Sequence, residues 1–137
     1  MVRVEVIRKR LGALDEYLGV LRSLQKYPLE EFLDNPEHYG SAERFLQLSI
    51  ETTLDIGNHI VSSLGYGEVN WYSDVAILLE EKGIIDAELR EKWIKIIGFR
   101  NILVHNYLEV DRKIVFDVLQ NRLGDIEQLK KAFIVFL

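Results

Sequence analysis

The chain contains no cysteine, only two prolines and no long apolar run. Without thiols there is no disulfide and no thiolate metal site, in keeping with a reducing compartment. No apolar stretch approaches the roughly 20 residues that cross a bilayer. The N-terminus, "MVRVEVIRKR", is charged from Arg3 onward and lacks the apolar core of a signal peptide. Low-complexity runs are also missing, and 48% of the residues are hydrophobic, so disorder is disfavoured. The expectation is one domain spanning residues 1–137, cytoplasmic and without membrane contact, long enough to bury a core.

Excess positive charge is lacking as well. The formal net charge is −5, which argues against a general nucleic-acid coat protein, because nonspecific binding relies on neutralising phosphates. The distribution is uneven. Residues 28–58 hold seven acids against the single base Arg44, whereas residues 90–113 hold six bases against three acids. The second segment is permissive for an anionic ligand.

What is present is helical periodicity. Val4, Ile7, Leu11, Leu14, Leu18 and Leu21 step by three and four, which predicts a helix over about residues 2–26. "YPLEEFLDNPEHYG" breaks it with both prolines, Pro28 and Pro36. A second long helix is predicted from about Pro36 to Leu64, with Phe45, Leu46, Thr53, Ile56 and Ile60 inward and Gly65 ending it in the left-handed conformation. Ser73 is the expected cap of a short helix, "DVAILLEEKG", closed by Gly83. Asp86 is the expected cap of "AELREKWIKIIGF", with Leu89, Trp93, Ile96 and Ile97 inward. A last helix follows Asp111, its stripe running through Val115, Leu119, Leu123, Ile126, Leu129 and Phe133. No segment alternates as a strand does. The expected fold is an all-α, up-down bundle of four main helices plus a short one. The ending "AFIVFL" is apolar on more than one side, which points either to a partner or, more simply, to docking into the chain's own core.

The chemistry concentrates in "GFRNILVHNY", where Arg100, His105 and Tyr107 fall within eight residues. Arginine offers a planar, permanently charged fork for phosphate oxygens. Histidine gives and takes protons near neutrality. RNA carries its own nucleophile, the 2′-hydroxyl, so cleavage needs a base, an acid and positive charge for the transition state. Neither an H-E-x-x-H pair nor a nuclease-type carboxylate cluster is evident, so no metal or other cofactor is expected. One copy supplies a single histidine where the chemistry uses two proton shuttles. A two-fold dimer with the motif at its axis would supply two. Within one chain, five helical residues rotate the direction by about 140°, so Arg100 and His105 would not share a face. Spacing alone also allows a bland account: Arg100 at a helix C-terminus, His105 bonded to a carbonyl, and Tyr107 packed half-buried.

The residues "GFRNILVHNYLEVD" resemble the signature of HEPN-fold toxins of the HepT type: arginine, four residues, histidine, one residue, tyrosine. The layout of "SDVAILLEEKGIIDAELREKWIKIIGFRNILVHNY" is similar to that family too, as is "LDIGNHIV" in the second long helix. The resemblance implies a homodimeric, metal-independent endoribonuclease acting as the toxin of a type II/VII-like toxin–antitoxin system. Its partner would be a minimal nucleotidyltransferase antitoxin. By matching positions, Arg100 and His105 would be catalytic, and Tyr107 would be the residue the antitoxin adenylylates, adding bulk and phosphate charge beside Arg100.

Supporting positions remain open. Asp55 and His59, four apart, would pair on one helix face as a plain ion pair, or that face would line the cleft with Asp55 or Asn58 positioning the arginine or histidine. Asn101 is a further candidate at the site. His38 is expected to be exposed. Trp71, Tyr72 and Trp93 are read as core packing in preference to base stacking. Two other functions compete: a non-catalytic helical module holding a nucleotide or substrate for its nucleotidyltransferase partner, and a purely structural bundle.

Overall fold

The longest helix forms the axis of the molecule, since every other helix packs against it, and both its ends are sharply specified. In the computed structural model, which describes residues 1–137, this helix is α3 (Pro36–Leu64), preceded by α1 (Val4–Leu24) and the short α2 (Leu29–Asp34). Asn35 caps α3 by accepting a hydrogen bond from the Glu37 N–H at 2.9 Å, and Pro36 occupies the first turn, where its missing N–H costs nothing. Gly65 ends the helix at φ +63°, a conformation that disfavours a side chain.

Helix α1 lies antiparallel along α3. The Arg3 N–H meets His59, Arg10 meets Asp55, and the Tyr17 ring lies 5.9 Å from that of Phe45. Its stripe Ile7, Leu14, Leu18 and Leu21 is fully buried, and each such side chain contributes about 1.5–3 kcal/mol. Four further helices also pack against α3: α4 (Tyr72–Glu81), α5 (Ala87–His105) and, after a 3₁₀ turn at Tyr107–Glu109, α6 (Arg112–Asn121) and α7 (Leu123–Ile134). There is no strand, and 29 buried hydrophobic residues form one continuous core. No helix is long and apolar enough to cross a membrane.

Several local expectations are corrected. Ser73 does not cap α4: the cap is Trp71, two residues earlier, and Asp74 reaches back to accept from the N–H groups of Asn70 and Trp71 at 2.9 and 3.0 Å. The last predicted helix is two, broken at Arg122 (φ −116°, ψ 0°), although Leu119 and Leu123 on either side remain buried. Trp71 and Tyr72 are not core residues. Trp71 is 75% exposed and Tyr72 half exposed; only Trp93 of the three is buried. His38 is half-buried, not exposed, because its ring stacks on Tyr27 at 3.7 Å. At the C-terminus Phe133 enters the core, while Ile134, Val135 and Leu137 stay exposed.

Candidate active site

The "GFRNILVHNY" stretch is not a turn between helices. Helix α5 does not stop near Phe99 but continues through Arg100 to His105, and Asn106 closes it with its N–H on the Ile102 carbonyl at 2.9 Å. Burial of Leu103 holds this last turn against the bundle. Arg100 and His105 therefore sit on one continuous helix about 140° apart around its axis. Tyr107 opens the 3₁₀ turn and is 62% exposed, which is not the position of a packing residue.

Arg100 is the most constrained member. Its Nε and Nη2 both donate to Glu51 Oε1, at 3.1 and 2.8 Å, and Nη1 donates to Asn101 Oδ1 at 3.3 Å. The Tyr72 ring lies 5.2 Å from the guanidinium carbon. The side chain is only 13% exposed. Three of its five N–H donors are engaged, leaving one on each terminal nitrogen for an anion. The guanidinium faces a cavity of about 190 Å³ lined by Glu51, Leu54, Asp55, Tyr72 and Arg100.

Glu51 was not legible as a site residue. Gln47 also donates to its Oε1, at 3.0 Å. Burial pushes the Glu51 carboxyl upward, but hydrogen bonds from Arg100 and Gln47, with the charges of Arg100 and Arg44, outweigh it and hold the group below the ordinary carboxylate range. A depressed folded value means that the contribution is complete above the unfolded pKa and is lost as pH falls through the folded one. Glu51→Gln should therefore flatten the acid side of the stability profile. The difference from wild type should be at most about 1 kcal/mol after solvent screening, read by denaturant unfolding from neutral to acidic pH.

The other candidates on α3 are placed differently. Asp55 and His59 do not pair. Asp55 takes Arg10 of α1 at 3.2 Å, and His59 Nε2 accepts from the Arg3 N–H at 3.1 Å, because α1 lies against this face and supplies nearer partners. Asp55 does line the Arg100 cavity, but Glu51, one turn earlier, holds the arginine. Asn58 is exposed and lines a separate hollow with Gly65 and Gly67.

His105 is exposed and its ring makes no hydrogen bond within the chain. It shares a stripe of α5 with Ile94, Gly98 and Asn101, all within about 60° around the axis. Trp71, Tyr72 and Ile97 join the upper part of this stripe to form a shallow, largely apolar hollow. Gly98 is exposed, and a Cβ there would meet nothing within 4 Å. Nowhere do three or more His, Asp or Glu side chains converge to hold a metal ion.

Fold and site together define an all-α bundle with a carboxylate-held arginine and a solvent-facing histidine on diverging faces of one helix, followed by an exposed tyrosine. The chain belongs to the ribonuclease HepT-like family, whose model matches residues 14–133. It is 32% identical over 111 residues to a tRNA nuclease HepT from Aphanizomenon flos-aquae, covering 81% of this chain and 76% of that protein. It is 39% identical over 129 residues to a putative RNase from Archaeoglobus fulgidus, covering 94% and 90%. Among solved structures it is similar to the tri-AMPylated Shewanella oneidensis HEPN toxin in complex with its MNT antitoxin. There the TM-score is 0.89 at 26% identity, covering 97% of this chain and 99% of that one.

Proposed function

We propose that the protein is a metal-independent endoribonuclease toxin whose working site is a cleft shared by two copies of the chain. The observation that carries this is the split of the motif: Glu51 fixes Arg100 toward α3, while His105 faces outward on the Ile94–Gly98–Asn101 stripe of the same helix. A single chain offers an imidazole and a guanidinium pointing apart. Two-fold pairing through the stripe would bring two of each to one crevice. One imidazole takes the proton of a 2′-hydroxyl, whose oxygen attacks the adjacent phosphorus. The bond to the 5′-oxygen breaks, and the second imidazole protonates that leaving oxygen, giving a 2′,3′-cyclic phosphate. The two free N–H donors of Arg100 bind the charge that accumulates on the phosphoryl oxygens.

Tyr107 suits the modification seen in the Shewanella relative, because its exposed ring stands two residues beyond His105 on an open turn. A minimal nucleotidyltransferase antitoxin would join the tyrosine oxygen to the α-phosphorus of ATP with release of pyrophosphate. The added phosphate would compete with RNA for Arg100.

Gly98 favours the stripe as the contact between copies. Glycine on an exposed helical face costs about 1 kcal/mol relative to alanine, and nothing within one chain requires it. Close approach of a second backbone would. Gly98→Leu is expected to fold normally, sediment as a monomer and lose cleavage. The decisive experiment incubates purified protein with RNA in the presence of a chelator and identifies the fragment ends. Cyclic-phosphate ends from the wild type, absent with Gly98→Leu, support the shared cleft. Cleavage that stops on chelation overturns the metal-free chemistry, and uncut RNA with tight nucleotide binding favours the non-catalytic module.

A further inference from the structure

We propose that Arg10 and Arg44 flank Arg100 along one edge of α3 and form a track for the phosphates of the RNA strand on either side of the scissile bond. This rests on the ribonuclease reading and adds two residues that the motif does not contain.

The edge is defined by helix geometry. Arg44, Glu51 and Asp55 lie within about 40° of one another around α3, on its solvent side between α1 and α5. Glu51 and Asp55 on this edge each carry a guanidinium from a neighbouring helix, while Glu37, in the first turn of the same edge, carries none. Glu51 holds Arg100 from α5 at 2.8 Å, and Asp55 holds Arg10 from α1 at 3.2 Å. Glu51, Asp55 and Arg100 line one cavity, and Arg10 is tied to Asp55 of that lining. Arg44 is exposed and makes no ion pair, and its charge is felt at the Glu51 carboxyl two turns away. The three cations thus follow the helix, Arg44 about 10 Å before Glu51 and Asp55 about 6 Å after it. An extended strand passing over Arg100 would find a further guanidinium on each side.

The pairing of Arg10 suits a transient ligand. Both its side chain and that of Asp55 are about half exposed, and one nitrogen, Nη1, makes the contact. Such a surface pair contributes about 0–1 kcal/mol, little enough for a phosphate to displace or share it. Segment 28–58 is the most acidic of the chain by sequence, yet packing of α1 and α5 brings positive charge to its exposed edge. A polyanion held at successive points fits this arrangement better than an acidic protein face, because the track continues into the candidate cleavage site.

The test uses full-length protein and a short single-stranded RNA bearing 2′-O-methyl groups, which binds but is not cut, titrated across a range of salt. Arg10→Ala and Arg44→Ala are each expected to weaken binding about 3–10-fold and to lower the slope of log K against log salt by about 0.7. With cleavable RNA the loss should appear in KM more than in kcat. Asp55→Asn should tighten binding, since it removes a charge that repels phosphate while leaving Arg10 in place. Unchanged affinity and salt slope in both arginine variants would overturn the track even if the wild type cuts RNA, as would weakened binding by Asp55→Asn, the sign of a merely structural pair. Weakened binding of a nucleotidyltransferase partner with RNA binding intact would reassign the edge to that protein. A wild type that binds RNA along this edge but never cuts it would remove the ribonuclease reading alone; one that does not bind RNA would remove both.

Discussion

His105→Ala is expected to lower RNA cleavage by about 10²–10⁴-fold, the range for loss of a general acid or base, without shifting the thermal unfolding midpoint. The residue is the last of α5, exposed, and its ring holds no other group of the chain, so truncation opens no cavity and orphans no partner. The change in rate would then be chemical. Arg100 does not allow so clean a reading. Its guanidinium satisfies Glu51 and Asn101 in a largely buried setting, and alanine there would leave a half-buried carboxylate without its partner. Arg100→Lys is the sharper variant: it keeps the positive charge but loses the planar fork, and should also be strongly impaired. Full activity in His105→Ala would remove the imidazole from the mechanism. Loss of activity together with an unchanged melt and an intact dimer would place it there.

The bundle was legible because its helices carry single, regular stripes. Ile7, Leu14, Leu18 and Leu21 bury the face their spacing announces, and Asn35, Pro36 and Gly65 bound α3 through backbone chemistry that those residue types dictate. Periodicity misled where a break preserved it. Val115, Leu119, Leu123 and Ile126 step by four, four and three across the interruption at Arg122, so two helices look like one. The end of α5 was hidden for the opposite reason: Gly98, Arg100 and Asn101 look like turn residues, yet the helix runs on because Leu103 is still needed in the core.

At the site, residue types were readable and partnerships were not. The spacing of Arg100, His105 and Tyr107 is a property of the chain, and the divergence of Arg100 from His105 follows from helix rotation alone. Glu51 reaches Arg100 across 49 residues of sequence, and Arg10 captures Asp55 across the α1–α3 interface. An i,i+4 pairing of Asp55 with His59 is the local solution; neighbouring helices supplied nearer partners. Trp71 and Tyr72 show the same limit. Aromatic residues are usually buried, and only the fold reveals that these two stand in solvent beside the α5 stripe.

Trp93→Ala is expected to destabilise the fold by about 3–5 kcal/mol, the range for deleting a fully buried large aromatic. Trp93 anchors α5, the helix that carries Arg100 and His105, against the centre of α3. Its Nε1 donates to Thr53 Oγ1 at 3.1 Å, and its ring meets Phe133 of α7 edge-on at 5.9 Å. The space beneath it exists because residue 57 is glycine. A Cβ at Gly57 would fall 2.8 Å from the indole and 2.6 Å from the Val75 side chain. Gly57→Ala should therefore also destabilise, by about 1–3 kcal/mol through overpacking. The two changes should not add. Removing the indole relieves one of the two clashes and leaves that with Val75, so Gly57→Ala should cost less in the Trp93→Ala background than alone. Denaturant unfolding of the four proteins measures that coupling. Additive costs would mean that Val75, and not the indole, sets the penalty for a side chain at residue 57.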